Sequence, residues 1–107
     1  MAFDAYDRSL SLLRTLVPLL LKLQGIDTDL AKQMRRAAQS ISLNIQEANR
    51  RKGCDRTNRF RCSLGSAAEV MACLDVGVAS GYFTAPQVAE SLELIDRVRA
   101  MTYRLST

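Results

Sequence analysis

The chain has 107 residues, 48% apolar and 24% charged, with 2 Pro, 5 Gly and 6% aromatics. Such a composition sets the expectation of one compact domain, excludes a disordered chain and argues against a turn-rich β sandwich. There is no His, so the usual proton carrier near neutral pH and the commonest metal ligand are both missing. The expectation is an all-α binding protein, not an enzyme, with no cofactor and no metal.

No uninterrupted apolar run approaches the roughly 18 residues of a membrane span, and residues 1–9 lack a basic start followed by an apolar stretch. A soluble cytoplasmic protein with no membrane partner is expected. Cys54, Cys62 and Cys73 are odd in number and lack C-x-x-C spacing, so they read as thiols in a reducing compartment.

Helix one is predicted over residues 5–24, with Leu10, Leu13, Val17, Leu20 and Leu21 on its core face. Leu12, Leu16, Leu19 and Leu23 fall on an adjoining arc, widening the apolar surface to roughly 200° where a core stripe needs about 100°. A bundle this small has no second layer to cover that surface, so these four leucines are assigned to an oligomer interface. Pro18 removes a backbone donor inside the pattern and predicts a bend near Arg14.

Gly25 stops this helix, and Asp27 or Thr28 caps the next. In helix two Leu30, Met34, Ala37, Ile41, Ile45 and Ala48 form the core stripe. Lys32, Arg35, Arg36, Gln39, Gln46 and Arg50 project the other way, and Arg51 and Lys52 carry the charge to a stop at Gly53. Asp55 is the expected cap of helix three, whose stripe is Phe60, Leu64, Ala67, Met71, Leu74 and Val78, with Arg56 and Arg59 at its first turns. Residues 80–83 connect to helix four, where Thr84 and Gln87 fit a capping box and Pro86 is tolerated in the first turn. Val88, Leu92, Ile95, Val98 and Leu105 supply its apolar face, completing an up-down antiparallel four-helix bundle over residues 1–107.

The net charge of +4 hides an asymmetry. Residues 32–61 hold nine Lys or Arg against Glu47 and Asp55, giving +7, while the remainder holds six against nine, giving −3. A charged helix face often serves solubility alone, but clustered arginines also suit phosphate oxygens, and each such contact releases counterions. Lys32, Arg35, Arg36, Arg50, Arg51, Lys52, Arg56 and Arg59 are therefore the candidate nucleic-acid contacts. Binding to RNA or DNA should be directed at the backbone, since the aromatics do not interleave with the basic ridge.

Glu47, Glu69 and Asp75 lack the Glu-x-x-His partners of a bundle metal site. Glu47 is expected to pair with Arg51, Glu69 to accept from Ser66 or meet an arginine across the bundle, and Asn44 to bridge helices.

The run Leu30-Ala31-Lys32-Gln33-Met34-Arg35-Arg36-Ala37-Ala38, with Ser40-Ile41 and Asn44-Ile45-Gln46-Glu47, resembles the four-helix bundle family encoded in bacterial 23S rRNA intervening sequences. Arg59-Phe60, Leu64-Gly65-Ser66 with Glu69, and Ser80-Gly81-Tyr82-Phe83 extend the resemblance to about residue 83. Ala48 departs from the family's usual Gly after the Glu, and Pro18 is a further departure. The resemblance implies a cyclic homo-oligomer, a pentamer, without enzymatic activity. The wider superfamily includes the accessory variability protein of diversity-generating retroelements, which implies a nucleic acid and a reverse transcriptase as partners, although a shared fold does not itself transfer function. The alternative is an oligomeric scaffold that docks a protein without binding nucleic acid, and a carboxylate-based nuclease ranks third.

Overall fold

Three of the four helix N-termini can be traced to a local signal from named residues. A computed structural model describes residues 2–107, with side chains described from Asp4 onward. It consists of α1 (Ala2–Gln24), α2 (Thr28–Asn49), α3 (Gly53–Ala79) and α4 (Ala85–Ser106), with no strand among the described residues. Asp4 lies in the first turn of α1, where a carboxylate favours the helix dipole. The Asp27 carboxylate accepts from the Leu30 N–H at 3.0 Å and caps α2. At α4 the Thr84 hydroxyl accepts from the Gln87 N–H while the Gln87 side chain accepts from the Thr84 N–H, the predicted capping box. Helix α3 differs: its N-cap is Lys52, which makes no side-chain cap bond, and Asp55 sits inside the first turn and not at the cap as expected.

Short connections make consecutive helices antiparallel neighbours. α2 packs on α1 and α3, and α4 packs on α3 and α1, so α1 and α3 occupy one diagonal of the bundle and α2 and α4 the other. One hydrophobic core receives residues from all four helices. The α2 stripe of Leu30, Met34, Ala37, Ile41, Ile45 and Ala48 is buried as expected.

Helix α1 overturns the sequence reading. Leu12, Leu16 and Leu23 are no more than 1% exposed and Leu19 is 9% exposed, so the four leucines assigned to an oligomer interface are core residues of the single chain. Of the five residues assigned to the core face only Leu20 is buried; Leu10 and Leu13 are half-buried, and Val17 and Leu21 are 45% and 70% exposed. The reason is rotational. Both arcs are apolar, and the one that packs inward is continued by the buried small residues Ala5 and Ser9, with the Ser9 and Ser42 hydroxyls sharing a buried hydrogen bond of 2.8 Å. Pro18 lies on the exposed side, and α1 runs unbroken from Ala2 to Gln24.

Helix α3 is turned by a smaller amount. Phe60, Ala67 and Leu74 are buried, but Leu64, Met71 and Val78 are only half-buried, and Ser63, Val70, Cys73 and Gly77 fill the core in their place. Ser63 satisfies its hydroxyl by donating to the Ile41 carbonyl at 3.0 Å, which ties α3 to α2. By length and composition α3 contains an 18-residue window apolar enough to cross a membrane, although its apolar residues do not run uninterrupted there. Only 33% of that window is buried, so much of the helix's apolar surface faces outward.

One end of the bundle is fastened by several independent contacts. The Tyr82 and Phe83 N–H groups donate to the Gly77 carbonyl at 2.8 and 3.2 Å, and the Phe83 ring lies so close that a Cβ on Gly77 would meet it at 2.6 Å. The Tyr82 hydroxyl donates to Asp27 at 3.1 Å, joining the α3–α4 turn to the α2 cap. That bond and the charge of Asp27 raise the Tyr82 pKa, with burial adding to the shift.

Candidate nucleic-acid interface

The opposite end holds the α2–α3 connection. The Arg50 and Arg51 N–H groups donate to the Glu47 and Ala48 carbonyls at 3.1 and 3.0 Å, tightening the last turn of α2. Gly53 has φ +62°, a left-handed conformation that a side chain resists, and it lets α3 begin after only Arg50, Arg51 and Lys52. Five cations, Arg50, Arg51, Lys52, Arg56 and Arg59, are thereby gathered at one corner with the carboxylates Glu47 and Asp55.

Two of the five cations are engaged within the chain. Arg51 donates to Glu47 Oε1 through Nη2 at 2.7 Å and Nε at 3.0 Å, the predicted i,i+4 pair, and its Nη1 stands 4.0 Å from Asp55. Arg56 lies over the Phe60 ring at 4.9 Å and donates to the Ala48 carbonyl at 3.5 Å. Among the described residues Arg50, Lys52 and Arg59 make no ion pair, and all three are exposed. The Glu47 pKa is lowered by the Arg51 hydrogen bond first, with the charges of Arg51, Arg50 and Arg59 adding to it against an opposing effect of burial. Three arginines thus act on one carboxylate, and positive charge is left over.

Above this corner an open groove of about 990 Å³ runs between α2 and α3. Lys32, Arg36 and Arg59 line it, balanced by Asp29, Glu47 and Glu69. Asn44 donates to the Ser40 carbonyl and hydroxyl, both at 2.9 Å, and Ser66 donates to the Ser40 hydroxyl at 2.8 Å. Asn44 therefore bonds within its own helix, and the Ser40–Ser66 pair bridges α2 and α3 across this groove. Glu69 neither accepts from Ser66 nor meets an arginine within ion-pair distance, contrary to both expectations.

The eight predicted contacts thus separate into three groups. Arg50, Arg51, Lys52 and Arg56 form the corner, Lys32 and Arg36 line the groove, and Arg59 belongs to both. Arg35 turns toward α1, where it donates to Gln24 Oε1 at 2.8 Å. Sequence reasoning missed the groove itself, although Gln33, Ser40, Asn44 and Glu47 recur at helical spacing along one side of α2. Of the polar residues through which the chain resembles the intervening-sequence family, Ser40, Asn44, Glu47, Arg59, Ser66 and Glu69 line this groove, as do Lys32, Gln33 and Arg36, whereas Arg35, Gln46, Ser80 and Tyr82 do not. No group of His, Cys, Asp and Glu suited to a metal ion occurs among the described residues.

The family model described as 23S rRNA-intervening sequence protein matches residues 2–104. The chain belongs to that family. A solved structure of a protein of unknown function from the S23 ribosomal protein family of Bacteroides thetaiotaomicron VPI-5482 is similar to this intervening-sequence protein in fold, with a TM-score of 0.88 at 23% identity, over 96% of this chain and 98% of that one. No curated protein matches the chain.

Proposed function

We propose that this intervening-sequence protein is a non-enzymatic, homo-oligomeric accessory protein that binds nucleic acid through the α2–α3 corner. The observation that carries the reading is the excess of arginines around Glu47, with Arg50, Lys52 and Arg59 exposed and free of ion pairs among the described residues. Such groups contact phosphate oxygens without having to break an internal bond first, and their binding weakens as salt competes. A pentamer, implied by the family resemblance, would repeat the corner five times and add weak contacts through effective concentration. The resemblance to the retroelement accessory protein makes a reverse transcriptase the partner to try after nucleic acid. Replacing Arg50, Lys52 and Arg59 with Glu is expected to abolish binding to structured RNA and to DNA in a filter assay across a salt titration, with helicity unchanged. Affinity and salt slope equal to those of the parent protein would reject this assignment.

A second reading rests on the groove, whose three cations and three carboxylates balance. A neutral, hydrogen-bonding trench suits a polar protein segment better than a polyanion, which favours a scaffold role. Pull-down after nuclease treatment separates the two, since a protein docked in the groove stays bound.

A further inference from the structure

The up-down course of the chain brings distant segments to one end of the bundle. The start of α1, the end of α2, the start of α3 and the end of α4 meet there. Residues 2–9, 43–61 and 97–107, which make up that end, hold ten Lys or Arg against four Asp or Glu, giving +6. The rest of the chain holds five against seven, giving −2. Positive charge is therefore concentrated along the bundle axis as well as along the sequence. Four of the ten cations, Arg8, Arg97, Arg99 and Arg104, lie outside the basic segment 32–61.

Three of these four line a second hollow, of about 450 Å³, between the start of α1 and the end of α4. Asp4 and Arg8 stand one turn apart on α1, and Arg97, Met101 and Arg104 follow at spacings of four and three on α4, so each helix turns one polar strip to the hollow. The α1–α4 side of the bundle is opposite the α2–α3 side. The hollow and the basic corner thus flank the same end, across a bundle whose shorter dimensions are 23 and 19 Å.

The neighbouring carboxylates leave part of this charge uncompensated. Glu93 accepts from Arg97 Nη2 at 3.0 Å, and Asp96 stands 3.9 Å from Arg99, which reaches toward α3 and donates to the Met71 sulfur at 3.4 Å. Asp7 lies roughly 100° around α1 from Arg8 and does not line the hollow. Asp4 and Glu93 therefore face three arginines, whereas cations and carboxylates balance in the α2–α3 groove. Arg8 and Arg104 are exposed and make no ion pair among the described residues.

We infer that Arg8 and Arg104 form a second phosphate-binding site, and that nucleic acid lies across the end of the bundle from this site to the corner of Arg50, Lys52 and Arg59. This rests on the nucleic-acid part of the reading above and extends it to residues from both extremes of the chain. Guanidinium groups keep their charge at any physiological pH and offer paired N–H donors to phosphate oxygens. A duplex carries one phosphate per 3.4 Å of each strand, so a span of about 20 Å corresponds to about six base pairs. A longer duplex reaches both sites at once.

Arg8→Glu with Arg104→Glu reverses the second site and leaves the corner intact. The probe is a DNA duplex of about 12 base pairs, bound to the full chain in a filter assay across a salt titration. This variant is expected to bind about tenfold more weakly than the parent protein and to lose about two from the salt slope, since each phosphate contact contributes about 0.9. Arg8→Lys with Arg104→Lys keeps the charge and is expected to keep the slope. Arg14→Glu with Arg35→Glu changes the net charge equally but away from this end, and is expected to leave affinity within about threefold of the parent value. Circular dichroism identifies a variant that has failed to fold, in which case Arg8→Gln and Arg104→Gln take the place of the reversals. A parent protein that does not bind the duplex would overturn this site and the proposed function together. Parental affinity and slope in the Arg8 and Arg104 variant, while the corner variant loses binding, would overturn the second site alone. An equal loss in the Arg14 and Arg35 variant would do the same, because binding would then follow net charge and not position.

Discussion

The two ends of the bundle use their connections differently. At the end holding residues 25–27 and 80–84, the polar groups that shape the turns are committed to one another: Asp27 caps α2 and accepts from Tyr82, Thr84 and Gln87 cap each other, and Phe83 closes over Gly77. At the other end α3 starts without a side-chain cap, and Arg50, Lys52 and Arg59 have no ion-pair partner among the described residues. Where bonds are closed, the chain gains stability. Where they are left open, exposed positive charge remains, which the function proposed above would use, and α3 goes without a side-chain cap at Lys52.

The largest effect that separates the ends is expected at Phe83. Phe83→Ala removes a buried ring and should cost about 3–5 kcal/mol, read as a lowered midpoint of urea unfolding, while nucleic-acid affinity of the folded fraction stays unchanged. Gly77→Ala acts at the same contact from the other side, because its Cβ would press on the ring at 2.6 Å. Next comes Asp27→Ala, which deletes a cap and should cost about 1 kcal/mol in the same measurement. Tyr82 then loses its acceptor, and its phenol should titrate closer to the ordinary value of 10 in an absorbance titration. The raised Tyr82 pKa also sets a sign: its contribution is fully present below the ordinary phenol range and is lost as pH rises through the shifted value.

Lys52→Ser tests the exchange between the ends directly. A serine N-cap should raise stability by about 0.5–1 kcal/mol in chemical denaturation, while removal of the cation weakens nucleic-acid binding and flattens its salt slope. Stability and binding moving in the same direction would count against the contrast. The smallest expected effect is at Glu47. Its lowered pKa means that the Arg51 pair is intact above the ordinary carboxylate range and is lost as pH falls through the depressed value. Glu47→Gln removes the carboxylate among three arginines and should tighten nucleic-acid binding at neutral pH, measured at fixed salt, with little change in the unfolding midpoint.

Much of the fold could be read without the structure, and the α2 stripe, the Asp27 cap, the Thr84–Gln87 box and the Glu47–Arg51 pair are local patterns of that kind. Each involves residues three or four apart, a distance at which helix geometry alone brings groups together. What could not be read is which way an all-apolar helix turns. The two leucine arcs of α1 are equivalent by hydropathy, and what distinguishes them is contact with distant segments, such as Ser9 meeting Ser42 across 33 residues. The groove was hidden for a similar reason, since Ser40 and Ser66 bond across 26 residues and bring Glu69 to the side of α2 that holds Arg36.

Composition and periodicity by themselves determined that the chain makes four helices, where most of them begin, and that its positive charge is concentrated between Lys32 and Arg61. Those properties follow from neighbouring residues and 3.6-residue spacing. Only the packed bundle decided that Leu12, Leu16, Leu19 and Leu23 lie inside, that Val17 and Leu21 lie outside, and that the basic residues divide between a corner, a groove and a contact with α1. Helix orientation is set by how side chains of distant segments fit and satisfy one another's polar groups, and periodicity along one helix holds no record of its neighbours.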